Sequence, residues 1–528
     1  MLRIFTLAII VFSMSVPFSA SATEIIKLGP AETKVAMGQN DRGDSVIQVT
    51  VSEVRLHVIE IDGQRWAAPR VPKGSNLMER GLPSLPFLKT QYLLDRMDGI
   101  ELRLVGVVTA EIDLGAQNFA GVAPSKGHFD RSTDPDSIPW TFDPEVYAGL
   151  KPFPAVDVWI DPPAIAGPWR AQAFRVPVAS WNAETNMLTV IEEATFEILS
   201  IEDAPNPRIG PNRAPTALFG SMRNAVNAAS TRDSRSAEAG RLLILAYDDF
   251  VDEVQPLADW ETLVGYPTLL TPLSTVPHGG STPTATEIMT YIQALYDAPE
   301  GLAWIILVGD YAQIPNSAGV NEGADCDPCY TKLEGSDNRP DASISRISAQ
   351  NGADVTIQVD KILHYEQQPD AGGAATWYSS AFGVAGNDTG GSPSYADWER
   401  MNFLKNDLLD PAYTYSEFDE LYGSPSTTEV KTSIENGTSL GMYIGHGSVT
   451  AWSTSGFSVS NVHSLVNDEM LPLIWSVACV NGDFRAANEC FAESWLRREG
   501  GGAVSFEGAT TNESWVPPCD AQRGIVDA

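Results

Sequence analysis

At 528 residues the chain exceeds what one hydrophobic core ordinarily serves, so several folded units are expected. An apolar share of 43% with 19% charged residues excludes a disordered or fibrous chain, because ordering entropy is offset only where enough apolar surface can be buried. Sixty-eight acidic against 34 basic residues give a formal charge of -34, which argues against nucleic acid or anionic membrane as a partner and suits solubility outside the cell.

In chain order, Met1 to Ala22 has the pattern of an export leader: Arg3 is the positive start, Ile4 to Phe12 the apolar run, and Ala20-Ser21-Ala22 the cleavage signal. That run is shorter than the roughly 18 apolar residues a membrane span needs. No later stretch is long and apolar enough, so an exported chain starting near Thr23 and lacking a membrane span is expected. Residues 23–205 alternate apolar and polar positions in short runs, among them Val46 to Val51, Val54 to Ile61, Glu101 to Val108 and Thr189 to Ile198, which predicts a β-rich unit. Residues 206–240 carry Pro207, Pro211 and Pro215 and then many Ser, Asn, Ala and Arg, and read as a linker.

From Arg241 onward the pattern changes. Leu242 to Ala246, Trp304 to Val308, Ala381 to Ala385, Leu440 to Ile444, Leu473 to Ala478 and Ala503 to Phe506 read as buried strands. Thr284 to Tyr296, Asn351 to Gln367, Ala396 to Leu409 and Cys490 to Arg498 read as helices between them. Strand and helix in alternation predict an α/β fold whose mostly parallel sheets are flanked by helices. Five cysteines, Cys326, Cys329, Cys479, Cys490 and Cys519, leave an unpaired thiol. Cys326-Asp-Pro-Cys329 has zinc-knuckle spacing but no second pair, so a local disulfide or free thiols are preferred.

In such sheets loops converge on ligands at the carboxyl ends of the strands. Met442-Tyr443-Ile444 runs into Gly445-His446-Gly447-Ser448, and Ile474 to Ala478 runs into Cys479-Val480-Asn481-Gly482. These exits are 33 positions apart, with a helix predicted around Val459 to Asn467, so neighbouring parallel strands would set His446 beside Cys479. An imidazole there can take the thiol proton, hold the thiolate and protonate a leaving amine. The flanking glycines give the backbone room to turn, and the N–H groups of Gly447 and Cys479 form a candidate oxyanion hole. The competing reading makes Cys479 a core residue and His446 a turn residue; their joint placement at strand ends favours chemistry. The other histidines read as structural or solvated, and no G-x-S-x-G elbow follows a strand.

Tyr443-Ile-Gly-His-Gly-Ser-Val-Thr-Ala-Trp452, Val477-Ala-Cys-Val-Asn-Gly-Asp-Phe484 and Cys490-Phe-Ala-Glu493 resemble the histidine and cysteine motifs of the gingipain-type peptidases. Leu307-Val-Gly-Asp310, Gly335 to Arg346, His364-Tyr-Glu366 and Ala509-Thr-Thr-Asn-Glu-Ser-Trp515 extend the likeness over about residues 241–523. Residues 23–235, with Gly81-Leu-Pro-Ser-Leu-Pro86, are more loosely similar to the family's propeptide. The resemblance implies a caspase-like catalytic domain in two subdomains, 241–375 and 376–528, made as a zymogen that its own propeptide inhibits and that acts on polypeptides. Carried over by position, Cys479 is the nucleophile, His446 the general base and acid, and Asp388 the acidic residue that orients the histidine. Asp397 falls where some members keep an S1 carboxylate, which implies Arg or Lys before the scissile bond, and Trp515 corresponds to an aromatic wall of that pocket. A structural calcium site maps to Asp310, Glu334, Asp337, Arg339 and Asp341, with Glu334 and Arg339 giving carbonyls; the chemistry itself requires no cofactor. A Gly-rich turn, a helix cap, a core tryptophan and a solvated acidic loop are the structural alternatives for these assignments.

The chain departs from the family in two places. Family catalytic domains continue beyond the Trp515 region, so an end at Ala528 implies a shortened second subdomain; Cys519 stands where an apolar pocket residue is expected. Maturation is expected near Arg232, Arg235 or Arg241. The alternative of another class is a non-catalytic surface or adhesion protein retaining the peptidase fold, against which the intact Cys and His motifs argue.

Overall fold

A computed structural model describes residues 23–29, 32–150, 152–209, 225–227, 240–391, 395–410 and 413–526. The predicted leader at 1–22 and the candidate processing residues Arg232 and Arg235 lie outside the described residues.

The β-rich half forms because alternate side chains of its strands turn inward. In Met187–Ile201, Leu188, Val190, Ala194 and Phe196 are buried, and this strand pairs antiparallel with both Ser45–Thr50 and Gly99–Asp113. A second sheet is built around Trp169–Pro177 and Pro86–Leu93, and a third joins Thr23–Lys27, Glu53–Ile61 and Gln64–Arg70. Their inner faces share one core that includes Ile47, Leu56, Phe174, Trp181 and Phe196; each such side chain contributes about 1.5–3 kcal/mol by leaving water.

The other half holds two sheets in which every neighbouring pair is parallel. The first runs Thr268–Pro272, Arg241–Ala246, Leu302–Val308, Ser343–Ile347. The second runs Glu417–Tyr422, Ser380–Ala385, Leu440–Ile444, Leu473–Val477, Ser505–Gly508. Both faces are covered, which is why the strands read as unbroken apolar runs: Leu243 and Leu245 enter one core while Leu242, Ile244 and Ala246 enter the opposite one. Helix Ala285–Asp297 starts at a capping box between Thr284 and Glu287, and Asn351 caps Gly352–Gln367. Helices Val251–Val264 and Thr427–Glu435 and strands Thr268–Pro272, Ser343–Ile347 and Glu417–Tyr422 were not legible. Glu417–Tyr422 is an edge strand rich in acidic residues, and Val251–Val264 carries Pro256, so local pattern hides both.

Two expectations around the junction need correction. Residues 206–209 do not begin a loose linker: Arg208 is buried, donates to Pro168 O, and lies 3.7 Å from Glu334. Arg241 is no exposed processing site, because it opens the first parallel strand opposite Leu302 with its guanidinium against Leu295 O and Gly301 O. Among the described residues no helix is long and apolar enough to cross a membrane.

The two parallel sheets are tied by a buried ionic cluster. Arg497, on helix Phe491–Arg497, donates to Ser348 O at 3.0 Å and to Glu493 at 2.6 Å and faces Asp310 at 3.5 Å. Glu493 in turn accepts from Ser348 Oγ at 2.6 Å. Removing the guanidinium strands two carboxylates in low dielectric, so Arg497→Ala is expected to cost about 3–5 kcal/mol. Thermal unfolding checks this; a Tm within about 1 °C of the parent would contradict it.

Candidate active site

The strand Leu440–Ile444 leads into His446, and the neighbouring strand Leu473–Val477 leads into Cys479. Ile444 and Val477 are register partners in the parallel ladder, and Gly445 N–H donates to Val477 O at 3.2 Å, so His446 and Cys479 leave the sheet at the same level. The two loops touch: a Cβ at Gly447 would stand 2.6 Å from Cys479 O, so only glycine allows this approach. Among the described residues no hydrogen bond links the imidazole to the thiol. His446 Nε2 instead faces Asp388 Oδ2 at 3.5 Å, across a groove of about 340 Å³ that Asn387, Ser424, Ser453 and Thr454 also line.

Several contacts fix these loops. Asn481, fully buried, donates to Ser448 O at 2.6 Å and Ala451 O at 3.2 Å, and accepts from Ser476 Oγ at 2.8 Å. Ser476 Oγ also receives the Trp452 indole N–H at 2.9 Å. Trp452 stacks on Tyr443 with centroids 4.7 Å apart, and Tyr443 OH donates to His446 O. Between Cys479 and Asn481, Val480 adopts φ 51°, a left-handed conformation that costs a β-branched residue about 1–3 kcal/mol. The hydrogen bonds of Val480 N–H to Thr511 O and of Gly482 N–H to Ala509 O hold that turn. Ser453 N–H donates to His446 O at 2.9 Å; by antiparallel alternation the next pair, Gly447 and Trp452, is non-hydrogen-bonded, so Gly447 N–H points away from its hairpin.

Asp397 and Trp515 meet around a residue that pattern reading did not find. Arg131, from the β-rich half, is fully buried, and its Nη1 lies 2.9 Å from Asp397 Oδ1, also fully buried. Nη2 donates to Trp515 O and reaches Cys519 Sγ, both at 3.3 Å, and the guanidinium carbon sits 4.6 Å from the Trp515 ring. Burial works against the Arg131 charge, yet the Asp397 carboxylate holds the guanidinium above its ordinary value. Burial pushes the Asp397 carboxyl up while Arg131 pulls it down. The main chain joins in: Arg131 N–H donates to Glu513 O at 2.7 Å, and Asp130 and Ser514 form an antiparallel bridge. The Trp515 and His446 rings are nearly perpendicular, with centroids 5.7 Å apart. Burial raises the Cys479 thiol above its usual range, with the Glu513 N–H opposing, so the sulfur is protonated at neutral pH in this arrangement. Nothing in the local sequence separates Arg131 from other loop arginines.

Of the residues mapped to calcium, the three aspartates are each engaged by other partners. Asp310 is spent on Arg497, Gln350 Nε2 and Tyr311 N–H. Asp341 accepts the N–H groups of Leu333, Glu334 and Gly167, and Asp337 those of Ile165 and Arg339 together with Asn206 Nδ2. Among the described residues no cluster of three or more His, Cys, Asp or Glu is disposed to hold a metal. The carboxylates of Asp310, Asp337 and Asp341 are thus engaged by N–H donors and a guanidinium in this arrangement. Cys326 and Cys329 form a disulfide, while Cys479, Cys490 and Cys519 are free and buried.

Asn481→Ala would leave two loop carbonyls and the Ser476 hydroxyl short of partners, and is expected to cost about 2–4 kcal/mol, read as a lowered Tm. Val480→Gly, which relieves the positive φ, is expected to lower Tm far less.

Residues 31–208 match the family model Propeptide_C25, and residues 235–524 match that of peptidase family C25. Gingipain R2 of Porphyromonas gingivalis is 29% identical over 492 residues, covering 90% of this chain and 65% of that protein. Gingipain R1 from the same organism is 30% identical over 493 residues, covering 90% and 48%, and Lys-gingipain is 22% identical over 508 residues, covering 93% and 28%. This chain therefore spans less than two thirds of the length of these relatives. Among solved structures, the complex of Porphyromonas gingivalis RgpB pro- and mature domains aligns with a TM-score of 0.51 at 28% identity, covering 55% of this chain and 68% of that one. The crystal structure of the Arg-specific cysteine proteinase gingipain R aligns with a TM-score of 0.52 at 28% identity, covering 56% and 68%. Because the peptidase model matches more than half of the chain, with the propeptide model ahead of it, the chain belongs to peptidase family C25.

Proposed function

We propose that this chain is the latent precursor of an exported cysteine endopeptidase that cleaves polypeptides after arginine, and that its own β-rich half keeps it inactive. The observation that carries the reading is Arg131. A guanidinium sits in a closed pocket on Asp397, its backbone is paired antiparallel with the segment 513–515, and both lie beside Cys479 and His446. This is the posture of the residue before a scissile bond. Thr133 N–H donates to Asp130 O at 2.9 Å, so the chain turns back at once after Arg131, which suits an inhibitor better than a substrate.

In the mature enzyme, substrate arginine takes the place of Arg131. His446 accepts the thiol proton, and the Cys479 sulfur attacks the carbonyl carbon of that arginine. The developing oxyanion is held by the N–H groups of Gly447 and Cys479, the former directed away from its own hairpin. His446, oriented by Asp388, returns the proton to the leaving amine, and water then releases the acyl group. The planar fork of arginine places one nitrogen on Asp397 and the other on the Trp515 carbonyl, which a single ammonium nitrogen cannot do, so lysine is the poorer substrate.

With arginyl and lysyl peptide anilides, Cys479→Ala is expected to abolish turnover; unchanged activity would defeat the proposal. Asp397→Asn removes a buried charge partner worth about 3–5 kcal/mol, so kcat/KM on arginyl substrates should fall roughly 10²–10⁴-fold. Arg131→Ala should weaken latency: the uncleaved precursor, silent in the parent, is expected to label with a small thiol-directed arginyl inhibitor. A variant precursor as unreactive as the parent would rule out Arg131 as the plug.

A further inference from the structure

We infer that Cys519 is a specificity-determining residue of the arginine pocket: its sulfur takes the second N–H of the guanidinium nitrogen that the Trp515 carbonyl already holds, so the pocket admits arginine and refuses arginine methylated on that nitrogen. This rests on the reading that substrate arginine takes the place of Arg131. Nη2 of Arg131 carries two N–H groups and meets two acceptors, Trp515 O and Cys519 Sγ, each at 3.3 Å. Nη1 is held apart from them, on Asp397 at 2.9 Å. The apolar residue expected at position 519 would offer the first of these nitrogens one acceptor fewer.

The local fold aims the sulfur. Cys519 lies in the first turn of helix Pro517–Val526, and its thiol reaches back to Trp515 O at 3.5 Å, the backward bond to the preceding turn that small hydrogen-bonding side chains make in helices. With the S–H directed to that carbonyl, the sulfur lone pairs are left for the guanidinium. Burial raises the thiol above its usual range, so it stays protonated and keeps both roles. The helix itself is pinned: Gln522 donates to Trp475 O at 3.1 Å, on the strand that leads to Cys479, and Arg523 pairs with Asp407 at 2.8 Å. Cys519 packs in one apolar cluster with Met401, Leu404 and Val477, which confines it. A methyl group in place of the N–H that faces the sulfur would fall well inside van der Waals contact, and one turned toward Trp515 O would do the same. A lysine ammonium seated on Asp397 has no second nitrogen to bring to the sulfur, so its binding does not draw on Cys519.

The test compares the parent with Cys519→Ala and Cys519→Ser, each expressed as the full chain and matured proteolytically. Each is assayed on peptide anilides ending in arginine, Nη-monomethylarginine or lysine. In the parent, kcat/KM for the methylated substrate should lie roughly 10²-fold or more below that for arginine. Cys519→Ala removes an acceptor and opens a space the size of a methyl group. Arginine should therefore lose roughly five- to tenfold and lysine less than about twofold, while the ratio of methylated to unmethylated arginine rises about tenfold or more. Cys519→Ser, which restores a small acceptor, should bring arginine back to within about threefold of the parent. A gain for the methylated substrate cannot come from a damaged fold. Equal losses on all three substrates overturn the inference, as does a methylated-to-unmethylated ratio that is the same in the parent and Cys519→Ala. The parent alone supplies a check that needs no variant: methylarginine turned over as well as arginine also overturns it. Failure of the underlying reading looks different, because a parent that cleaves the lysyl anilide as fast as the arginyl one removes the arginine pocket itself.

Discussion

The precursor is organised around one buried ion pair, Arg131 with Asp397. Neither side chain is exposed to solvent, so each has given up its hydration, and the opposite charge is the main compensation, with the Trp515 carbonyl and ring adding to it on the arginine side. Such a pair contributes little net stability, but breaking it from one side is costly. That asymmetry suits a plug: the β-rich half docks with the guanidinium in the pocket or docks badly. The remaining contacts act on the same interface. Arg70 lies over the Tyr395 ring at 3.6 Å, Ser75 donates to Asp520, and Asp337 and Asp341 accept N–H groups of Ile165 and Gly167. The acidic loop resembling a calcium site is thus, in this arrangement, a receptor for backbone donors of the β-rich half.

Behind the pair, the site is stiff where chemistry needs it to be. Val480 holds a strained φ, and strain persists only where surrounding bonds over-determine it. Here Asn481, Ser476, Trp452 and Tyr443 form a continuous buried chain from the cysteine loop to the histidine hairpin. A displacement of either loop would break several hydrogen bonds with no water to replace them, which fixes the thiol and imidazole relative to one another. The opposite wall, segment 509–515, is fastened to the same turn through Thr511 O and Ala509 O, which ties it to the loop that carries Cys479.

Much of this is legible in the amino-acid sequence. Unbroken apolar runs such as Leu242 to Ala246 announce strands buried on both faces, and the alternation in Thr189 to Ile198 announces one buried on a single face. Cys479 and His446 stood out because each follows such a run and is flanked by residues that permit a sharp exit. Elements whose stability comes from neighbours were hidden: the acidic edge strand Glu417–Tyr422 borrows its order from Ser380–Ala385, and Pro256 masks the helix that contains it.

What the sequence determined by itself is therefore periodic or local: the division into a β-rich half and parallel sheets, the helix starts near Thr284 and Asn351, and the placement of His446 and Cys479 at two strand exits. Tertiary structure alone decided which distant groups share a low-dielectric space. Arg131 and Asp397 are 266 positions apart, and nothing near either predicts the other. The same holds for the donors that satisfy Asp337 and Asp341, and for the burial that lifts Glu513 and Cys479. Charge pairing and desolvation depend on distance through space and on excluded water, and a chain's order of residues encodes neither until it has folded.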